Sequence, residues 1–254
     1  RILTTDWDSF KDNPAYKLIC EYKDIFRTEL PNEAPKDTTL RAEIQHEINV
    51  TDTKPIALKQ YPLSPAQREA LSKWTDGMLR VGLIRVSKSP YNFPIFAIKK
   101  ADGFRFVHDY RLLNAITLTP KIPIPLKDDI FNRMSGAKIF SCLDLLNGYY
   151  QMRIRECDVP LTAFSTPSGH YEYLVTPQGL CGAPASFNKL VQAIFKDVED
   201  VCSAYFDDAY VFTKGSIDDH LLALRRVFEK CRNEQVYLKL AKCIFCADEI
   251  PCLG

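Results

Sequence analysis

Two adjacent acids, Asp207 and Asp208, lie between apolar and aromatic residues in the stretch SAYFDDAYVFT, residues 203–213. The flanking residues are strong strand formers, so the stretch predicts a β-hairpin that carries two carboxylates at its bend. Burying carboxylates among apolar neighbours costs desolvation free energy, and a divalent cation with a third carboxylate nearby would relieve that cost. The alternative is a solvated Asp-Asp turn, because Asp also favours turns that bind nothing.

One further acid, Asp144, stands at the end of an apolar, strand-like segment, KIFSCLDL, residues 138–145. The residues that follow, Asn147-Gly148-Tyr149-Tyr150, break that strand. We therefore treat Asp144 as the candidate third carboxylate.

Charge is unevenly distributed along a chain whose formal net charge is only +1. Residues 71–113 contain eight Lys or Arg against three acids, whereas residues 196–219 contain two Lys against seven acids. This pattern suits an anionic substrate held near a bound metal, and ordinary surface patchiness explains it equally well.

The composition is that of a soluble globular protein, with 254 residues of which 46% are hydrophobic and 26% charged. Nine scattered cysteines do not form a disulfide framework, so we expect a reducing compartment. We find no run of transmembrane length and no secretion signal. The chain starts without Met and stops after an apolar run, so we expect a piece of a longer protein.

Helices and hairpins, whose ends are marked by capping and turn residues, follow one another without regular βαβ alternation, which indicates an α+β fold. Capping boxes at Ser64/Gln67 and Ser216/Asp219 each open an amphipathic helix, and a third helix opens at Pro184. Hairpins are predicted over residues 93–110, with a turn at Ala-Asp-Gly 101–103, and over residues 161–176. A short helix should end near Gly136. Residues 1–60 predict an extended lead-in with one short helix around residues 16–26.

The order of these motifs resembles the reverse transcriptase of a gypsy-class long-terminal-repeat retrotransposon. The resemblance runs from about Asp24 to Gly254 and is carried by several blocks in order: YPLSPAQREAL, GLIRVSKSPYNFPIFAIKKADGFRFVHDYRLLN, LDLLNGYYQMRI, TAFSTPSGHYEYLVTPQGL, the YFDD of residues 205–208, and KCIFCADEIPCLG.

The resemblance implies a right-hand polymerase fold made of fingers and palm, with the thumb and ribonuclease H absent. Residues 1–60 would be an extension or linker, and residues 61–254 the reverse transcriptase domain. The fingers would cover about 61–115 and 152–182, and the palm about 116–151 and 183–254.

The family's chemistry is the in-line attack of a primer 3′-OH on the α-phosphorus of a deoxynucleotide, with two Mg²⁺ ions stabilising the attacking and leaving oxygens. By resemblance, Asp144 and Asp207 would bridge the two ions and Asp208 would complete the cluster. The backbone carbonyl of Leu145 would add a ligand. Mn²⁺ is the alternative ion, because both are hard cations that prefer oxygen ligands.

Further positions match residues of the family that contact the nucleotide and the primer end. Lys100 and Arg105 would contact the triphosphate, and Gln178 the nucleotide near its 3′ side. The ring of Tyr149 would lie under the sugar and leave no room for a 2′-OH. The hairpin residues at the primer end would be Tyr205 and Phe206.

The implied partners are an RNA or DNA template with its primer, deoxynucleotides, and the thumb, ribonuclease H and integrase regions of a parent polyprotein, with no membrane. The implied location is the cytoplasm, in retroelement particles, with the nucleus as a further compartment. The alternative reading is a truncated, non-catalytic retroelement remnant that at most binds nucleic acid.

Overall fold

A computed structural model describes residues 7–27, 38–100, 103–119, 126–146 and 148–251. Its helices are α1 (Tyr16–Glu21), α2 (Thr39–Glu43), α3 (Pro65–Arg80), α4 (Arg111–Ile116), α5 (Lys127–Met134), α6 (Ala183–Phe195) and α7 (Ile217–Asn233). Its strands are β1 (Ile84–Val86), β2 (Ile95–Lys100), β3 (Gly103–His108), β4 (Ile139–Asp144), β5 (Phe164–Thr166), β6 (Gly169–Tyr173), β7 (Cys202–Tyr205), β8 (Asp208–Thr213) and β9 (Ile244–Ala247). None of the helices in these ranges has the length and apolar character needed to span a bilayer.

The strands form three antiparallel sheets, and the predicted α+β class is confirmed. The largest sheet, which we call the central sheet, has the strand order β7-β8-β4-β9. The second sheet has the order β1-β6-β5, and β2 pairs with β3 alone. Helices α6 and α7 pack against the central sheet at β7 and β8, so they support the strands that carry the three acids.

Both predicted capping boxes are present and explain where the two longest helices begin. The Ser64 hydroxyl accepts from the backbone N–H of Gln67, whose side chain accepts from the N–H of Ser64. Ser216 and Asp219 make the same reciprocal bonds at the start of α7. Each box satisfies amide groups that the first helical turn leaves without partners, which fixes the helix start from local sequence alone.

The two faces of the central sheet pack against different elements. Residues paired across strands share a face, so the pairing shows which side chains point to which element. Leu143 and its partner Ala209 lie on the face covered by α6 and α7, and both are fully buried. On the opposite face Cys142 and its partner Tyr210 join a smaller apolar cluster with residues of α5. Asp144 and Asp208 continue the row of this second face to its end.

A buried histidine joins α7 to the two middle strands of the central sheet. The His220 ring lies within hydrogen-bond distance of the Ser141 hydroxyl on β4, at 2.8 Å, and of the Thr213 hydroxyl on β8, at 2.9 Å. Burial lowers the pKa of His220 to about 4, so the ring is neutral near pH 7. The histidine therefore adds no charge to the core while it holds β4 and β8 to the helix.

The structure corrects the prediction of an extended lead-in for residues 7–27. The predicted short helix is present as α1, but the surrounding residues pack into the core beneath the central sheet, where Ile19 and Phe26 join the cluster that contains Phe228. The physical reason is the apolar content of this segment, whose burial removes Phe, Ile and Leu side chains from water. Sequence periodicity missed it because the segment has no long helix or strand.

The second sheet and the β2–β3 hairpin share another apolar cluster. Both predicted hairpins are confirmed, whereas α2, α4, the pairing of β1 with β6 and the strand β9 were not predicted. Of the predicted hairpin turn at 101–103, residues 101 and 102 lie outside the described residues. The predicted helix that ends near Gly136 is confirmed as α5.

Two leucines on α7 give a matched test of this packing. Leu224 is fully buried, whereas Leu222 on the same helix is 62% exposed. Because Leu224→Ala leaves a cavity, we expect it to lower the free energy of unfolding by about 2–5 kcal/mol. Leu222→Ala removes little buried surface, so its effect should stay within about 0.5 kcal/mol. Urea unfolding followed by circular dichroism measures both, and similar losses would contradict the described position of α7.

Candidate active site

The two adjacent acids stand at the bend of a tight hairpin, as predicted. Tyr205 pairs with Asp208, so Phe206 and Asp207 are the two residues of the turn. Phe206 adopts a left-handed backbone conformation with φ of 52°, which two-residue hairpin turns require at their first position. Its N–H donates to the side-chain oxygen of buried Asn188 on α6, at 3.4 Å. The turn is therefore fixed both by strand pairing and by a side chain from the helix behind it.

The third acid is brought to the same place by the pairing of β4 with β8. Asp144 is the register partner of Asp208, and the N–H of Leu145 donates to the carbonyl of Asp207 at 2.7 Å. Asp144 and Asp208 therefore lie side by side on one face of the central sheet, with Asp207 at the adjoining bend. The structure thus brings the backbones of the three predicted acids together, two from neighbouring strands and one from the adjoining bend.

The Leu145 backbone is oriented toward the hairpin by its pairing on the other side. Leu145 faces Leu238 in an antiparallel bridge whose hydrogen bonds are made by neighbours: the N–H of Lys239 donates to Asp144 at 2.9 Å, and that of Leu146 to Tyr237 at 2.8 Å. In such a non-hydrogen-bonded pair, both polar groups of the residue point away from the partner. The Leu145 carbonyl therefore points to the Asp207 side, where a ligand to a cation would be needed.

The acids of the turn are held in an environment that disfavours their charge. Burial raises the pKa of Asp207, and the charges of Asp144 and Asp208 raise it further. Burial likewise raises the pKa of Asp208, against the lowering effect of the Tyr210 hydroxyl, which donates to it at 3.3 Å. A nearby cation would stabilise the ionised form of Asp207 and Asp208, whose pKa values are raised.

One cation of the chain itself already contacts this cluster. Lys242 Nζ lies 2.9 Å from an oxygen of Asp144, and this hydrogen bond raises the pKa of the lysine. With the side chains so placed, the described ranges contain no group of three or more His, Cys, Asp or Glu assembled to hold a metal. The donor set, all oxygen and all acidic, fits a hard divalent cation in type. Lys242 contacts only one of the two carboxylate oxygens of Asp144.

Sequence reasoning missed both Lys242 and Asn188. Asn188 carried a usable signal, because it is a polar residue between Phe187 and Leu190 in the predicted helix, and the structure buries it fully. Lys242 opens the last block of the resemblance, but nothing in that block predicts a contact with Asp144, which stands 98 positions away.

The candidate triphosphate contacts lie on the β2–β3 hairpin. Arg105 pairs with Ile98 and Lys100 with Gly103, so Lys100 and Arg105 share one face, whereas Lys99 lies on the other. Both Lys100 and Arg105 are exposed. The Arg105 guanidinium donates a hydrogen bond to the side-chain oxygen of Gln178. The structure therefore joins two of the predicted nucleotide residues from separate segments.

The predicted sugar-contacting residue lies between the two large apolar clusters. Tyr149 belongs to a 3-10 turn, Gly148–Gln151, and its ring meets that of Phe187 edge-on with centroids 5.7 Å apart. Burial raises the pKa of Tyr149, and the charge of Asp207 adds to this effect. Tyr149 thus packs against Phe187 and also lies close enough to Asp207 for that charge to affect its pKa.

The predicted primer-end residues form the tip of the acidic hairpin. The rings of Tyr205 and Phe206 meet edge-to-face with centroids 4.7 Å apart, and both are half-buried. Lys127 Nζ lies over the Tyr205 ring, 6.0 Å from its centroid. These contacts give the tip an aromatic surface immediately beside the carboxylates.

The raised pKa of Asp207 predicts how the metal-free fold responds to pH. A raised pKa means that the parent loses stability as pH rises from the ordinary value near 3.8 through the folded-state value. Asp207→Asn removes this penalty, so the variant should unfold at higher urea concentration than the parent at pH 7 in EDTA. The gain should shrink as pH falls toward about 4 and vanish below it, where the carboxyl is protonated in both the folded and the unfolded state.

Asp197 supplies a control of opposite sign, because its hydrogen bond with Lys230 lowers its pKa. Asp197→Asn should therefore be slightly less stable than the parent at pH 7, and this loss should fade on acidification. A gain for Asp207→Asn that grew toward acid pH would contradict the raised pKa of Asp207.

Known proteins with a similar sequence or fold identify the family of the chain. The sequence pattern of the family described as "Reverse transcriptase (RNA-dependent DNA polymerase)" matches residues 98–254. The chain is 38% identical over 223 residues to the retrovirus-related Pol polyprotein from transposon 297 of Drosophila melanogaster, covering 85% of this chain and 21% of that protein. It is 32% identical to the enzymatic polyprotein of soybean chlorotic mottle virus, covering 93% of this chain and 34% of that protein.

Solved structures with a similar fold include a foamy viral protease-reverse transcriptase in complex with double-stranded DNA. That structure matches 94% of this chain and 41% of its own, with a TM-score of 0.80 and 25% identity. The corresponding complex with an RNA/DNA hybrid matches 94% of this chain and 32% of its own, with a TM-score of 0.79 and 26% identity. The α+β fold is thus that of reverse transcriptase fingers and palm, and the chain belongs to the reverse transcriptase (RNA-dependent DNA polymerase) family, with the domain found in retrotransposon Pol polyproteins.

Proposed function

We propose that the chain is the fingers and palm of an RNA-directed DNA polymerase from a gypsy-class retrotransposon polyprotein. It would transfer a nucleotide from a deoxynucleoside triphosphate to a primer 3′-OH on an RNA or DNA template. The observation that carries this proposal is the pairing of Asp144 with Asp208 beside the Asp207 bend. The gypsy class is supported by the order of the sequence blocks and by the similarity to insect transposon polyproteins.

The fingers would comprise about residues 61–115 and 152–182, and the palm about 116–151 and 183–254. We would assign residues 7–27 to the palm as well, because they pack into the core of the central sheet. The chain spans about a fifth to a third of the length of the curated relatives named above, so other parts of a polyprotein would complete the grip on the nucleic acid. The reaction would take place in the cytoplasm, within retroelement particles, or in the nucleus.

Each site residue has a role that its position supports. Asp144, Asp207, Asp208 and the Leu145 carbonyl would hold two Mg²⁺ ions, or Mn²⁺ in their place. When bound, these ions supply charge stabilisation for the attacking and leaving oxygens. Arg105 would exchange its bond to Gln178 for the triphosphate, with Lys100 beside it on the same face. Tyr205 and Phe206 would support the primer end.

Primer extension tests the proposal directly. The chain, expressed together with the sequence that follows it in its gene, should extend oligo(dT) on poly(rA) with dTTP and Mg²⁺. Asp144→Asn, Asp207→Asn and Asp208→Asn should each lower the turnover by roughly a hundredfold or more, because each removes a ligand or its charge. The double change Asp144→Asn/Asp207→Asn should cost little more than either single change, since the ligands act as one cluster.

Asp200→Asn is the matched control, because Asp200 is an exposed acid near the same sheet that is paired with Arg226. It should keep parental turnover. The rival reading is a chain that binds nucleic acid without catalysis, in which Lys242 would stay paired with Asp144. That reading predicts template-primer binding with no extension by the parent, and this result would reject the polymerase.

Tyr149 allows a second test that separates substrate selection from folding. If its ring excludes a 2′-OH by volume, Tyr149→Val should admit ribonucleotides, while Tyr149→Phe keeps the ring and the discrimination. Relief of a steric clash is typically worth about 1–3 kcal/mol, so the ratio of kcat/KM for rUTP to that for dTTP should rise by roughly fivefold or more in Tyr149→Val. An unchanged ratio with both substrates slowed alike would leave Tyr149 as a packing residue against Phe187.

A further inference from the structure

A short extended segment, residues 237–239, connects the N-terminal part of the chain to the candidate active site. On its outer side the N–H of Leu238 donates to the carbonyl of Ile25 at 2.8 Å, and its carbonyl accepts from the N–H of Arg27 at 2.9 Å. These bonds make a parallel bridge between Leu238 and Phe26. Phe26, which has an extended backbone directly after the 3-10 turn Lys23–Ile25, therefore runs alongside Leu238.

The inner side of the same segment pairs with the end of β4. Lys239 donates to the Asp144 carbonyl at 2.9 Å and Leu146 donates to Tyr237 at 2.8 Å, while Leu145 in turn donates to Asp207 at 2.7 Å. Hydrogen bonds thus run without a break from residues 25–27, through 237–239 and 144–146, to the acidic bend. We call this series the backbone path.

The backbone path runs through parts of the core that water does not reach. Leu238 is 0% exposed, Ile25 is 1% exposed and Leu145 is 3% exposed. A broken backbone bond there would leave an unsatisfied polar group, at a cost of about 1–3 kcal/mol. The path also has a side branch, because the buried Gln151 side chain accepts from Tyr237 N–H at 2.8 Å and belongs to the turn that carries Tyr149.

The outer end of the path is fastened to α7 by cations. The Arg232 guanidinium donates to the Asp24 carboxylate at 2.8 Å and lies over the Tyr22 ring, 4.1 Å from its centroid. Arg225 pairs with Glu21 at 2.7 Å beside the same ring. A single exposed ion pair contributes little, but these contacts share one ring and one turn of chain and act as a network.

We propose that residues 22–27 are a positioning segment for the catalytic carboxylates. By holding residues 237–239 they fix the backbone of Asp144 and Leu145, and through Leu145 the bend that carries Asp207. The segment contributes no ligand of its own. The metal-related part of this inference rests on the proposed function, whereas the mechanical part rests on the hydrogen bonds alone.

Replacing Arg27 tests the path at its outermost bond. Arg27→Pro removes the N–H that donates to Leu238, and the preceding Phe26 already has the extended backbone, with φ of −92° and ψ of 118°, that a residue before proline adopts. Arg27→Ala is the matched control, because it removes the side chain, with its contacts to Asp24 and Tyr237, but keeps the N–H.

Two readouts are measured on both variants and the parent: hydrogen exchange of the Leu145 amide without metal, and Mn²⁺ affinity by calorimetry. We expect the Leu145 amide to exchange roughly tenfold faster in Arg27→Pro than in Arg27→Ala. The dissociation constant for Mn²⁺ should be roughly tenfold higher in Arg27→Pro, and each tenfold change is equivalent to about 1.4 kcal/mol. Equal Leu145 exchange in the two folded variants would overturn the proposal. If the parent binds no Mn²⁺, the proposed metal site fails, and Leu145 exchange alone still decides the positioning role.

A second pair of variants carries the test if Arg27→Pro does not fold. Arg232→Gln releases the positioning segment from α7 without touching any bond of the path, and it should speed Leu145 exchange by roughly threefold. Arg226→Gln is its control, because Arg226 lies on the same helix but pairs with Asp200. Equal exchange of the Leu145 amide in these two variants would then overturn the proposal.

Discussion

The backbone pairing of β4 with β8 is the interaction on which the rest of the structure depends. Its register, from Ile139 opposite Thr213 to Asp144 opposite Asp208, assigns every side chain of both strands to one of two faces. A slip by one residue would turn the acids toward the core under α6 and α7 and move apolar residues of that core to the face of the acids. The buried His220, which reaches both strands, and the helices packed on one face make such a slip costly.

This pairing also explains how the fold tolerates three neighbouring carboxylates. The acids stand at the end of a row whose other members are apolar and packed against α5, so the sheet is stabilised away from the charges. At the end itself, desolvation and repulsion are partly offset by Lys242 and by the Tyr210 hydroxyl. The site thus lowers the stability locally, and the apolar packing on both faces of the sheet more than offsets this loss.

Features set by near neighbours could be predicted from the sequence, and features set by distant pairing could not. The capping boxes at Ser64 and Ser216 and the acidic bend need only a few adjacent residues, so their patterns were sufficient. The third acid was found because a strand pattern precedes Asp144. By contrast, the contact of Lys242 with Asp144 and the bridge of Phe26 to Leu238 join residues far apart in the chain. No periodicity records such contacts, and the packed N-terminal segment was missed for that reason.

The left-handed conformation of Phe206 has a consequence for how this protein can change over time. A bulky residue at positive φ is strained by about 1–2 kcal/mol relative to glycine, and the structure retains it with strand pairing, the Asn188 amide and the Tyr205 ring. A mutation of Phe206 to glycine would therefore increase the thermal stability of the turn, but it would remove one ring of the aromatic tip. Position 206 is a place where selection for a durable protein and selection for a working one pull in opposite directions.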